Sequence, residues 1–423
     1  NGTAAAPIRV CGVKSSSGAR PIIDAKGAKS RAALAYGHIL HQTRSIIVVK
    51  PAYGAAWTSF PTHIQIDGLD LRGANPANTF TDTTGTVRPY EKFGACIWVE
   101  RGQGVTIADN LIHDCTNGIF TKSVSDGDFA LTKNIRIAGN YIYGNGNSGS
   151  VHEHNTYVQS IGVVYEFNRY GPLRTGALGN MLKDRSVGTV VRYNSFKEGA
   201  HSIDLVEAEE YNTIAVSLPE YRTTYVYGNQ IIKDGSTGSL IHYGGDHFGS
   251  TPTSGWGEPF FRRGTLYFYN NTVHVTGSGM GALFQLSTTE ENAQVWNNVF
   301  SFATSVPYPA LRMNQQDVAA YWTPGGNVNL GKNWIVSNWA DSDPWHPIPG
   351  VVSGAANMIK GTGVPYDLTT FLPASGSALI DAGQANLAAV AAHPVLYQLD
   401  PVTGQAKTRT INGSAIDLGA VER

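Results

Sequence analysis

The chain has 423 residues, with 31 Lys and Arg against 32 Asp and Glu, for a formal charge of −1. That balance leaves no basic footprint for nucleic acid, and no apolar run is long enough to span a membrane. Forty-eight glycines and only 15% charged residues suit a turn-rich, strand-rich chain, and long helical patterns are nearly absent.

From residue 105 onward one phrase recurs: an alternating apolar strand, an Asn, then two further apolar positions. Clear copies are Val105-Thr-Ile-Ala-Asp-Asn110-Leu-Ile112, Ile135-Arg-Ile-Ala-Gly-Asn140-Tyr-Ile142 and Val191-Arg-Tyr-Asn194-Ser-Phe196. They continue through Val226-Tyr-Gly-Asn229, Phe268-Tyr-Asn270-Asn271 and Val295-Trp-Asn297-Asn298, with a weaker copy at Asn168. The aligned residues 110, 140, 168, 194, 229, 271 and 298 are separated by steps of 30, 28, 26, 35, 42 and 27. Short strands at this period, with no helix between them, predict a solenoid. One coil cannot bury its apolar face alone, whereas stacked coils bury a continuous core. The expected fold is all-β, a right-handed parallel β-helix with long loops. The Asn is expected at the turn because it tolerates the left-handed region and can form amide ladders. These residues specify the fold, not the chemistry.

Cys96 and Cys115 lie 19 residues apart, less than one coil, and could face each other in neighbouring coils, leaving Cys11 over. At this count a buried free thiol is as compatible with the sequence as a disulfide. Between residues 145 and 247 the repeat carries unusual polar residues. After Gly144-Asn-Gly-Asn-Ser-Gly149 come His152-Glu-His154-Asn155-Thr-Tyr157, then Lys183-Asp-Arg185, then Asp204-Leu-Val-Glu207, then His242-Tyr-Gly-Gly-Asp246-His247. With Leu182, Ile203 and Leu205 inward, period-two alternation turns Lys183, Arg185 and Asp204 outward, with Tyr157 and His242 joining the same file. Charged residues on an outward strand face are commonly solvated or paired with each other. Acid, base and cation in one patch are also what proton transfer on a sugar requires. Trp57, Trp98, Trp256, Trp296 and Trp322 are aromatic residues that could face a ligand or pack in loops and turns. Residues 1–305 read as coils carrying a groove, 306–375 as a loop-rich insertion or further coils, and 376–423 as closing strands.

The segment from Lys183 to Phe196 resembles the lysine-bearing coil of polysaccharide lyases of the alginate lyase and chondroitinase B type, within the pectate-lyase-like β-helix proteins. The resemblance implies a secreted, periplasmic or surface protein of a bacterium, a Lys base at Lys183, an assisting Arg one coil on, and calcium to neutralise a uronate carboxylate. Where that group carries Arg-His-Gly-Asn, this chain reads Asp204-Leu-Val-Glu-Ala208, so Arg185 would have to substitute from the lysine's own coil. Ala19-Arg-Pro-Ile-Ile-Asp24, Gly376-Ser-Ala-Leu-Ile-Asp-Ala-Gly383 and Ala415-Ile-Asp-Leu-Gly-Ala-Val-Glu422 resemble first and closing coils of bacterial extracellular β-helix proteins. No signal peptide is visible, which suggests a processed or trimmed chain.

The leading expectation is a polysaccharide lyase that cleaves a uronate glycan by β-elimination, as a monomer, with the polysaccharide as its partner. Arg185 would hold the carboxylate, Lys183 would take the C5 proton, and Tyr157 or His154 would protonate the leaving oxygen, with His242 in reserve. Asp204, Glu207, Asn155 and Asp246 would orient these groups or bind substrate. Asp204 and Glu207 could also contribute to a Ca²⁺ site, although the carboxylates are too few and scattered for a dedicated cage. Two rivals are a glycoside hydrolase using Asp204 with Glu207, or Glu153 with Asp204, which needs carboxylates flanking the bond, and a non-catalytic polysaccharide-binding surface protein.

Overall fold

A computed structural model describes residues 1–33, 39–197, 201–234, 238–248, 255–313, 325–342, 348–400 and 403–423. It is a right-handed parallel β-helix. The described residues include two short α-helices, Ile39–Arg44 and Asn212–Ser217. The chain divides into two compact units. The first comprises Asn1–Val164, Tyr170–Val187 and Glu210–Ala215; the second comprises Tyr165–Arg169, Gly188–Glu209 and Val216–Arg423.

In the first unit, one sheet runs through Ile8–Cys11, Thr62–Asp67, Gln103–Ala108 and Lys133–Ala138. A second runs through Ile22–Asp24, Asp70–Arg72, Leu111–His113 and Tyr141–Tyr143. A third runs through Ser45–Val49, Ala95–Glu100, Asn117–Lys122, Thr156–Val158 and Leu182–Asp184. The second unit repeats the plan. Its strands Thr223–Tyr227, Thr265–Tyr269 and Asn292–Trp296 pair in one sheet, Gln230–Asp234, Thr272–Thr276 and Val299–Phe302 in another, and Ile203–Leu205, Ser239–Tyr243 and Met280–Leu286 in the third. Each apolar residue lies over its equivalent one coil away, as Ile66 does over Ile107 and Ile231 over Val273, all fully buried. This stacking buries the core that one coil cannot bury alone.

The asparagines form the expected amide ladder, which is one of the two reasons expected for them. In the second unit Asn168, Asn194, Asn229, Asn271, Asn298 and Asn333 stack, each Nδ2 donating to the next Oδ1 at 2.9–3.1 Å. The same Oδ1 accepts the main-chain N–H of the previous ladder residue. Asn110 and Asn140 do the same in the first unit. Except at Asn333, the left-handed residue is the one just before the ladder position: Asp109, Phe167, Tyr193, Asn270 and Asn297 have φ between 51° and 56°, and Gly139 and Gly228 have 64° and 67°. Tolerance of that region therefore does not select the ladder Asn. A planar amide with two donors and two acceptor lone pairs does, because it satisfies buried groups above and below at once.

Cys96 and Cys115 form a disulfide, and Cys11 is an exposed free thiol. Residues 376–383 and 415–422, expected as closing strands, contain no strand. They meet through Leu418 N–H to Leu379 O and Gly383 N–H to Ile416 O, both 2.9 Å. Asp417 and Asp381 carboxylates accept further main-chain N–H groups there, drawing the backbone into turns instead of a ladder.

Candidate functional site

In the first unit, strand Thr156–Val158 pairs with Leu182–Asp184 so that Tyr157 lies over Lys183 and Thr156 over Leu182. Leu182 is wholly buried in the core, and alternation sends Lys183 to the opposite face. Arg185 follows the strand, and its Nε donates to the Tyr157 hydroxyl at 3.0 Å. Its main-chain carbonyl accepts the Tyr211 hydroxyl at 2.7 Å, which fixes the turn beneath it. The His154 ring meets Tyr157 edge-on at 5.3 Å. Its Nδ1 accepts the Asn180 main-chain N–H at 2.8 Å, so in this state the ring proton sits on Nε2. Tyr157, Lys183, Arg185 and His154 are thus brought together. All are 8% exposed or less, so the group is buried and not a solvated charged face.

Asn155 has a different place. Its Oδ1 accepts Asn145 Nδ2 at 2.9 Å, and its own Nδ2 donates to Gly171 O at 3.0 Å. It is fully buried and holds the coil that presents His154 and Tyr157.

The remaining expected residues lie in the second unit. Asp204 is in register with His242, and His242 with Gln285. His242 Nδ1 is in ion-pair contact with Asp204 Oδ1 at 3.0 Å, and its Nε2 lies 3.1 Å from Ser287 Oγ. This row imitates a Ser-His-Asp triad, but its protons run the wrong way. Ser287 Oγ accepts the Gly245 N–H at 2.8 Å, and its single proton has the Gly245 carbonyl at 2.7 Å. A hydroxyl with its one proton so placed leaves His242 Nε2 to donate to it rather than to remove its proton. Ser287 is also fully buried.

Glu207 is fully buried, and Asp246 N–H and His247 N–H donate to its two oxygens at 3.0 and 3.2 Å. His247 Nδ1 lies 2.7 Å from Oε1 of the same carboxylate. Beside it, burial pushes the Tyr221 phenol up to about 12. Among the described residues, Glu207, Asp246 and His247 are the one trio whose ligand atoms fall within 4.8 Å of one another. Two carboxylates and an imidazole do not fit calcium, which takes six to eight oxygens, and Glu207 is already committed to the main chain.

Ser287 and His247 are the polar partners that the strand pattern alone did not select. Ser287 had a legible signal: it stands two positions beyond Gln285, on the next coil after His242 in the same sheet. Of the tryptophans, Trp98 and Trp296 are buried while Trp57 and Trp256 are 65% and 52% exposed. Trp322 lies outside the described residues.

No protein-family model and no curated protein sequence matches the chain. Among solved structures it is similar to DFA-IIIase of Arthrobacter chlorophenolicus A6. A point mutant of that enzyme gives 9% identity and a TM-score of 0.32 over 74% of this chain and 70% of that one. The same mutant in complex with DFA-III gives 9% identity and a TM-score of 0.26, covering 78% of this chain and 64% of that one. DFA-IIIase in complex with DFA-III gives 10% and 0.24, covering 74% and 61%. Likenesses this slight assign neither a reaction nor a ligand. No helix among the described residues is long and apolar enough to cross a membrane.

Proposed function

We propose that the chain is a polysaccharide lyase that cleaves a uronate-containing glycan by β-elimination at Lys183 and Tyr157. The observation that carries this reading is the Arg185 Nε hydrogen bond to the hydroxyl of Tyr157, on the strand position next to Lys183. Elimination needs a base for the C5 proton, an acid for the leaving oxygen, and positive charge beside the carboxylate. Lys183, in its neutral form, takes the C5 proton; the C5–H electron pair becomes the C4–C5 double bond, and the C4–O bond breaks. Tyr157 gives its proton to the departing glycosidic oxygen. The guanidinium of Arg185 supplies the positive charge beside the carboxylate and, through its hydrogen bond to Tyr157, stabilises the phenolate that remains, because hydrogen bonds to an ionised acceptor are the stronger kind. The proton on Lys183 then returns to Tyr157 through solvent, which restores both groups. His154, protonated at Nε2, orients Tyr157 from its edge.

Hydrolysis by Asp204 and Glu207 has less support, since the Glu207 carboxylate is taken up by two main-chain N–H groups and His247. The disulfide fits an oxidising compartment, and we place the protein outside the cytoplasm on that ground. Incubation with a panel of uronate polysaccharides, followed by ultraviolet absorbance, tests the proposal. Absorbance from unsaturated sugar that rises with the wild type and is lost in Lys183→Ala is expected. New reducing ends without absorbance would move the assignment to hydrolysis.

A further inference from the structure

The first unit also holds a cleft of 1050 Å³ whose lining includes Val48, Lys50, Tyr53, Trp57, Glu100 and Arg101. Two of its aromatic residues are presented to solvent, Tyr53 at 80% and Trp57 at 65% exposed. Trp57 is nonetheless fixed. The Arg101 guanidinium lies over its ring at 4.2 Å and donates to its carbonyl at 2.7 Å, while Phe129 meets it edge-on at 6.2 Å. An exposed tryptophan held in this way offers a preformed apolar surface at little ordering cost.

The charge beside it is an excess of cations. Glu100 receives Arg44 Nη1 at 3.0 Å and the Trp98 indole N–H at 2.8 Å, and Lys50 stands 3.7 Å away. Lys50 Nζ also contacts His41 Nε2 at 2.6 Å. Arg44 and Lys50 thus share one carboxylate, and the charge of Arg101 also acts on Lys50. Burial first, then the charges of Arg44 and Arg101 against the opposing pull of Glu100, hold the Lys50 ammonium below its ordinary range. An anion entering the cleft relieves that repulsion.

The cleft is also aligned with the proposed reaction centre. Val48 is in register with Trp98, Trp98 with Phe120, Phe120 with Tyr157 and Tyr157 with Lys183. Four steps of strand spacing place Val48 about 19 Å from Lys183 along one face of the third sheet. Phe93, 38% exposed, lies edge-on over Trp98, Phe120 and Tyr157, with ring centroids 5.2–6.2 Å away. It supplies the solvent-facing apolar contact between the two ends.

We propose that this cleft is a remote subsite for the non-reacting part of an oligomeric uronate chain, with Trp57 and Tyr53 packing sugar-ring faces and Lys50 and Arg101 meeting carboxylates. The inference rests on the lyase reading for its direction along the sheet, but the cleft can be tested separately. The C–H-rich face of a pyranose buries apolar area on an aromatic ring, and its carboxylate fits the excess positive charge.

The test is calorimetric titration of the Lys183→Ala protein, which cannot turn substrate over, with oligogalacturonate, oligomannuronate and chondroitin hexasaccharides and disaccharides, and with maltohexaose as a neutral control. At least one uronate hexasaccharide is expected to bind about tenfold or more tighter than its disaccharide, with Trp57→Ala and Lys50→Met each removing that advantage. Both side chains lie at the surface cleft, and Lys50→Arg should restore binding, which separates lost contact from lost fold. A length advantage untouched by both substitutions, equal binding of maltohexaose, or no binding of any hexasaccharide would overturn the proposal. Length-dependent binding through Trp57 and Lys50 in a wild-type protein that releases no unsaturated ends supports the subsite and removes the lyase reading alone.

Discussion

Two stacked files of side chains, each advancing one residue per coil, do opposite things. In the second unit the file from Asn168 to Asn333 repeats one amide six times, and every member bonds its neighbours of the same kind. In the first unit the file Val48, Trp98, Phe120, Tyr157 and Lys183 never repeats a residue. A uniform file solves the same problem at every coil, pairing buried polar groups, so it is scaffolding. A varied file answers to something that is not periodic, and a bound chain with one reacting bond is such a thing.

Breaking the varied file at its Lys183 end has the largest expected effect. Lys183→Ala should reduce turnover of the cleaved glycan to background, while the melting temperature stays near that of the wild type. Tyr157→Phe keeps the ring contact with Phe120 and deletes only the hydroxyl. A loss of about 10²–10⁴-fold in kcat is expected, the usual contribution of general acid catalysis, measured as initial rate at saturating glycan. A smaller loss with raised KM would make Tyr157 a binding residue instead.

Breaking the uniform file should leave chemistry aside and cost stability. Asn229→Ala removes an amide that donates to Asn271, Val191 and Tyr227 and accepts from Asn194. Buried groups left unpaired cost about 1–3 kcal/mol each, so chemical denaturation should show a loss of about 3 kcal/mol or more. A neutral result would contradict the scaffold role.

Lys233 sharpens the contrast from the other side, as a buried polar group outside any ladder. It is 1% exposed, its ammonium donates to the Asp234 carbonyl, and burial pushes it down to about 8. Between about 8 and the ordinary 10.5, the unfolded chain holds a proton that the folded chain has released, so stability rises with pH across that window. Lys233→Met should therefore stabilise the protein by on the order of 2 kcal/mol at pH 7, with the gain fading as pH passes through that window. Calorimetric melting at both ends of the window measures it; an equal gain at both would remove titration as the cause.

The coils were legible because their pattern is periodic: apolar alternation and a returning Asn identify the solenoid without any contact being known. Asn333 escaped that count because Gly331-Lys-Asn333-Trp lies where the sequence looks loop-rich. Of the two roles expected of the Asn only the amide ladder holds, because the left-handed residue is its predecessor, and residues as bulky as Phe167 and Tyr193 occupy that place. Strand alternation paired Tyr157 with Lys183 and Asp204 with His242 correctly within each unit. It could not show that Arg185 turns onto Tyr157, or that Glu207 serves the main chain of Asp246 and His247, because both depend on loop paths without a period. The cleft at Lys50 and Trp57 has the same origin.

The most direct test of the elimination account is cleavage in ¹⁸O-labelled water with mass analysis of the fragments. The account predicts unsaturated ends with no solvent oxygen incorporated, and their loss in Lys183→Ala. Fragments that carry the label and lack unsaturation would contradict it, because water would then be a reactant rather than a bystander.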